Sequence, residues 1–158
     1  MSFQNSIAMT EHKVKINWKR ELDDFAYSKY DRTHDWAFEG GTVIKASAAE
    51  KFLGNPKYIN PEEALAAALS SCHMLTFLAI ASRKRITVDS YQDEAIAILD
   101  KNENGKLSVT KVILKPKIVF SGNTIPNQDQ IMQMHHQSHH ECFIANSVLT
   151  HIEIDPIF

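Results

Sequence analysis

The sequence predicts an α+β domain in which an antiparallel, hairpin-rich sheet packs against one long central helix. Three observations carry this. Short segments alternate apolar and polar residues, as half-buried strands do. Two apolar runs flank Gly40-Gly41, which signals a hairpin. A single long apolar stretch opens with Asn60-Pro61-Glu62-Glu63, the start of a helix. With no repeat and no low-complexity linker, the 158 residues fit one domain over 12–158, preceded by a polar, flexible arm over 1–11. A chain of this size buries ~68–70% of its unfolded surface without disulfide staples.

Taken in order, Val14, Ile16 and Trp18 alternate with Lys13, Lys15 and Asn17 and predict a half-buried first strand. Tyr27 to His34 is a loop or frayed strand. Trp36-Ala37-Phe38 and Thr42 to Ala46 form the hairpin around the glycine pair, and Gly54 to Lys57 is a loop. Asn60 then caps a helix whose first turn holds Pro61, Glu62 and Glu63, acids that complement the helix dipole. The helix runs to about Arg83, where Arg83-Lys84-Arg85 suits a C-terminal end and the β-branched run after it stops it. Tyr91 to Leu99 predicts a strand, Asn102 to Gly105 a turn, and Leu107 to Phe120 a long strand bent at Pro116. A second helix starts at Pro126, turns Ile131 and Met134 inward and ends near Cys142. Leu149 to Ile154 alternates and closes the chain as a strand.

Composition narrows the function classes. Hydrophobic residues make up 44% and charged residues 23%, with a net charge of −2 and both signs mixed along the chain. Nothing electrostatic therefore favours nucleic acid or an anionic membrane. Met1 to Glu11 shows neither the basic nor the apolar region of a signal peptide, and the expected location is the cytoplasm. Ala64 to Ser82 is long enough to cross a bilayer. It is rich in alanine and contains Ser70, Ser71, Cys72, His73 and Thr76, so a buried core helix is the expectation.

The chain has two cysteines, Cys72 within the long helix and Cys142 after a histidine-rich segment. Taken alone, Cys72 fits either a small buried hydrophobe or a nucleophile. A thiol attacks only as its thiolate, so a neighbouring cation decides between the two. His73 points ~100° away on the helix, so the cation must come from elsewhere, and Arg32, in a loop, is the best candidate. Glu62 is either a dipole-complementing acid or a carboxylate that orients an arginine. His135, His136, His139 and His140 give two i,i+4 pairs, a spacing that zinc sites use, but no HExxH sequence and no third ligand at zincin spacing follow. The expected reading is a polar, water-facing helix surface that does not hold a dedicated metal.

Asn60-Pro61-Glu62-Glu63-Ala64-Leu65 leading to Ser70-Ser71-Cys72, followed by Cys142-x-x-x-Asn146-Ser147 before a terminal strand, resembles the OsmC/Ohr family of osmotically inducible and organic hydroperoxide resistance proteins. The resemblance covers about residues 12–155. It implies antiparallel sheets wrapped around long central helices in an intertwined homodimer. The activity it implies is thiol-dependent reduction of organic hydroperoxides, with hydrogen peroxide as a second candidate substrate. Cys72 matches the peroxidatic thiol, Cys142 the resolving thiol, Glu62 the glutamate ten residues before the reactive thiol, and Arg32 the family's arginine. No bound cofactor is implied, only an external dithiol reductant, either a lipoyl-bearing protein or a small dithiol. His73 after the first cysteine and Phe143 after the second differ from the best-understood hydroperoxide branch and suggest a less characterised OsmC-like branch. Two other classes compete. A thiol-dependent hydrolase would not need Cys142, and a non-catalytic metal- or ligand-binding module would rest on the histidine helix. On one continuous helix Glu62 and Cys72 stand ~15 Å apart. An antiparallel pairing of two such helices would bring Glu62 of one chain towards Cys72 of the other.

Overall fold

The computed structural model describes residues 9–158; most of the expected N-terminal arm, residues 1–8, lies outside them. The chain falls into two units, one ending at Pro61 and one spanning Glu62–Phe158.

The first unit is an antiparallel sheet of β1 (Val14–Asn17), β2 (His34–Phe38) and β3 (Val43–Ala46), in that order. Trp36 sits at the middle of the register, opposite Ile16 on one side and Ile44 on the other. The glycine pair makes the predicted turn. Gly41 takes φ +87°, and the Phe38 N–H donates to Thr42 O at 2.9 Å. One expectation fails here. Val14 and Ile16 alternate as a buried face should, yet they are 51% and 53% exposed. Alternation gathers apolar side chains on one face, but nothing among the described residues covers that face.

In the second unit, α1 (Pro61–Arg83) begins and ends where the sequence places it. Ala66, Leu69, His73, Phe77 and Ile80 recur every three to four residues and form its buried stripe. The other face, with Ala67, Ala68, Ser71, Leu75 and Ala79, is exposed. The helix is long and apolar enough to cross a membrane, but only 33% of its most apolar window is buried. It is thus a core helix along one stripe rather than on most sides. Its C-terminus closes with the Ile86 N–H on Ala81 O at 3.0 Å, which puts Arg85 in the left-handed region at φ +60°. Glycine is the usual residue at such a position, since a side chain there costs ~1 kcal/mol or more. Arg85→Gly is therefore expected to raise stability by roughly 0.5–1 kcal/mol, part of the gain being offset by a looser unfolded chain. The midpoint of urea unfolding would show it.

Two predicted long strands each divide in two. The Tyr91 to Leu99 segment becomes β4 (Thr87–Asp93) and β5 (Ile96–Lys101), and the Leu107 to Phe120 segment becomes β6 (Leu107–Leu114) and β7 (Pro116–Ser121). β4 pairs with β7 and β5 with β6, both antiparallel, and one register continues from Asp93↔Pro116 to Ile96↔Ile113. The four strands are one long hairpin pinched at its waist. Asp93 holds the pinch, its Oδ1 accepting from the Lys115 N–H at 2.6 Å and its Oδ2 from Ser70 Oγ on α1 at 2.5 Å.

The second helix, α2 (Gln128–Glu141), starts two residues after the predicted Pro126. Asn127 takes the cap position and exchanges two 2.9 Å hydrogen bonds with Gln130 in a capping box. The last strand, β8 (His151–Ile154), runs parallel to β6 rather than antiparallel, because α2 carries the chain back across the sheet before it. Two apolar clusters fill the unit. Ala66 and Leu69 of α1 pack with Val112 and Leu114, while Phe77, Ile80 and Ala81 pack with Met134 of α2.

Candidate thiol site

Cys72 lies midway along α1, between the buried stripe and the exposed face, and is partly buried. Thr76 Oγ1 donates to the Cys72 carbonyl at 2.9 Å, one turn on. Cys142 caps the C-terminus of α2 with extended backbone (φ −70°, ψ 117°), and it is 1% exposed. The residues after it fold back to satisfy the helix end. Asn146 Nδ2 donates to His140 O at 2.9 Å and to Cys142 O at 3.0 Å, while Ser147 Oγ donates to Phe143 O at 2.7 Å. The Cys142-x-x-x-Asn146-Ser147 sequence is therefore a helix-capping device that fixes the direction of one thiol.

The two cysteines, seventy positions apart in sequence, meet. The Cys142 thiol lies within hydrogen-bonding reach of Cys72, and both are free. Burial first, and then the hydrogen bond and charge of Cys72, push the Cys142 thiol up to about 11, although the Ala145 N–H donates to its sulfur at 3.4 Å and pulls the other way. Near neutrality Cys142 therefore keeps its proton.

Glu62 sits in the first turn of α1, with one carboxylate oxygen, Oε2, buried and without a hydrogen-bond partner among the described residues. Arg32 belongs to the first unit. Its guanidinium donates to Tyr27 O at 2.6 Å and Tyr30 O at 2.9 Å and lies over both tyrosine rings, 5.0 and 4.0 Å from their centroids.

The histidine helix differs from the water-facing surface expected of it. His136 and His140 are exposed, but His135 is fully buried and His139 partly so. His135 meets His73 of α1 edge to edge, with ring centroids 5.3 Å apart and planes 12° from parallel, and one hydrogen bond of 3.0 Å joins His73 Nε2 to His135 Nδ1. Phe77 packs against His135 with ring centroids 4.6 Å apart. Burial, reinforced by neighbouring imidazoles, holds His73 down to about 3 and His135 down to about 4, so both rings are neutral. Among the described residues no three His, Cys, Asp or Glu side chains converge as a metal site. A signal for this burial exists in the sequence. Ile131, Met134, His135 and Ser138 follow the i, i+3, i+4, i+7 spacing of one helix face, and His135 belongs to the inward stripe by position.

A helix-borne thiol meeting a capping thiol on an α+β frame defines a two-cysteine protein of recognisable type. A family model described as OsmC-like protein matches residues 54–156, and the chain belongs to that family. It is 48% identical to an OsmC-like protein of unknown function from Vibrio cholerae O1 biovar eltor, with a TM-score of 0.88 over 94% of this chain and 100% of that one. It is similar in fold to the organic hydroperoxide resistance protein OhrB of Bacillus subtilis, with a TM-score of 0.68 and 14% identity over 94% of this chain and 98% of that one. A further relative, the uncharacterized protein YmaD of Bacillus subtilis, is 22% identical over 152 residues, which is 92% of this chain and 93% of that protein.

Proposed function

We propose that this protein is a cysteine-based peroxidase that reduces organic hydroperoxides to alcohols. The observation that carries the reading is the approach of Cys72 to the buried, proton-retaining Cys142, close enough to raise its thiol. The Cys72 thiolate attacks the outer oxygen of the hydroperoxide. An S–O bond forms, the O–O bond breaks, and the alkoxide leaves as alcohol on taking a proton. Cys142 then attacks the Cys72 sulfenic acid, forming the disulfide and releasing water. An external dithiol, a lipoyl-bearing protein or a small dithiol, restores both thiols by exchange. Membership of a family with organic hydroperoxide resistance proteins among its structural neighbours supports the substrate class.

Glu62 and Arg32 are proposed as the acidic and basic groups of the site, as the resemblance implies. Glu62 Oε2, buried and unbonded among the described residues, is an acceptor open to a cationic partner. A homodimer is proposed as well, on the strength of the exposed small-residue face of α1 with Leu75 at its centre, 60% exposed. Sedimentation is expected to give about twice the 17.9 kDa chain mass, and Leu75→Glu to return the protein to a single chain.

The test of the reading is stopped-flow oxidation of reduced protein by cumene hydroperoxide and by hydrogen peroxide, followed by intact mass. The expected result is faster oxidation by the organic hydroperoxide, with a mass loss corresponding to two hydrogens. A mass gain of one or more oxygens without loss of thiols in pairs would rule out a Cys72–Cys142 cycle.

A further inference from the structure

A cavity of about 430 Å³ lies between β7, the start of α2 and the C-terminal residues, and neither cysteine lines it. Its size is at the small end of the ~300–1,000 Å³ typical of small-molecule sites. Ile118, Phe120, Ile131, Ile157 and Phe158 make its walls apolar, and no acidic or basic side chain other than an imidazole faces it. Asn127 and Gln128 stand exposed at the rim, and the Asn127 side chain is already engaged in the capping box.

The imidazole is His135. Its Nδ1 is bonded to His73, while Nε2 has no partner among the described residues in a side chain that is 0% exposed. A buried nitrogen left unbonded costs ~1–3 kcal/mol. Two neutral rings share one proton in the His73–His135 bond, so His135 Nε2 is an N–H when His73 donates and a lone pair when His135 donates. A hydroxyl answers either form, because it both donates and accepts. A carboxylate finds no cation here, and a hydrocarbon leaves Nε2 unbonded. We propose that this cavity is a second binding site, beyond the thiol chemistry, for a small apolar molecule bearing one hydroxyl, an alcohol or phenol. Its oxygen sits on His135 Nε2 and its hydrocarbon against Ile118, Phe120 and Ile131.

The test titrates the reduced full chain with 4-propylphenol, propylbenzene and 4-propylbenzoate while recording histidine ¹⁵N resonances. The phenol is expected to bind at least about tenfold tighter than either analogue, the equivalent of one hydrogen bond, and to move the His135 Nε2 resonance. Ile131→Trp fills the cavity while leaving both histidines in the chain, and is expected to weaken the phenol tenfold or more. The proposal is overturned by no saturable phenol binding, by propylbenzene or propylbenzoate binding as well or better, or by an unmoved His135 resonance. A folded Ile131→Trp protein that binds the phenol unchanged also overturns it. Should that variant not fold, the three-probe comparison with the His135 resonance decides alone.

Discussion

Cys72→Ser is expected to abolish hydroperoxide consumption, while Cys142→Ser retains one stoichiometric turnover and then stops. Serine at position 72 removes the sulfur that takes the oxygen atom. Serine at position 142 removes only the group that converts the sulfenic acid to a disulfide. The asymmetry follows from the site, where burial and the neighbouring sulfur keep the Cys142 proton in place up to about 11. A burst of one equivalent in the Cys142→Ser protein, with a sulfenic acid trapped by dimedone, is the expected record. The same experiment separates a peroxidase from a thiol hydrolase, in which Cys142→Ser would turn over indefinitely. A Cys72→Ser protein that still consumes peroxide at the wild-type rate would reverse the assignment or end it.

Acid is expected to unfold the protein steeply, through two particular side chains. His73 and His135 titrate in the folded chain at about 3 and about 4, below the 6.5 of a free imidazole. Between pH 6.5 and about 4 the unfolded chain therefore binds protons that the folded chain refuses, and stability falls as pH falls. Two such groups give a slope approaching ~2.7 kcal/mol per pH unit across that window, and above pH 6.5 their contribution is flat. Urea unfolding at a series of pH values measures it. His73→Leu combined with His135→Leu removes both titrations together, leaving neither partner unbonded, and should flatten the curve. His140→Gln changes one exposed ring outside the pair and should leave the slope as it is. An unchanged slope in the leucine pair would mean that other groups set the acid sensitivity.

What the sequence made legible was mostly local. Asn60-Pro61-Glu62-Glu63 and Arg83-Lys84-Arg85 bracket α1 because capping and dipole chemistry act within a turn. The two cysteine contexts were also visible, although their meeting depends on the path of α2. The division of the Tyr91 to Leu99 segment was read through, although the polar run Gln92-Asp93-Glu94 interrupts the alternation before β5. What breaks the strand is a bond from Asp93 to Lys115 and another to Ser70, both made by residues more than twenty positions away. The exposure of Val14 and Ile16 was hidden for a different reason: a pattern says which face is apolar, not what covers it. Histidine 135 was misjudged by residue type when its spacing with Ile131, Met134 and Ser138 already placed it inside. Arg32 and Glu62 rest on the resemblance, as no local pattern ties an arginine in a loop to a carboxylate thirty residues on.

The pinched hairpin from Thr87 to Ser121 has a kinetic meaning. Its pairs step outward from the Asn102–Gly105 turn with one register shift after Leu99 and another after Ser90, so each closes a loop only slightly longer than the pair before it. Such contacts form early, because the entropy of closing short loops is small. The parallel strand β8 must wait, since it docks on β6 only after the intervening α2 segment has crossed the sheet. The cap that aims Cys142 lies on that late-arriving stretch. A nascent chain therefore holds Cys72 on its helix before a second sulfur is there to meet it, and the thiol pair is among the last features of the unit to be assembled.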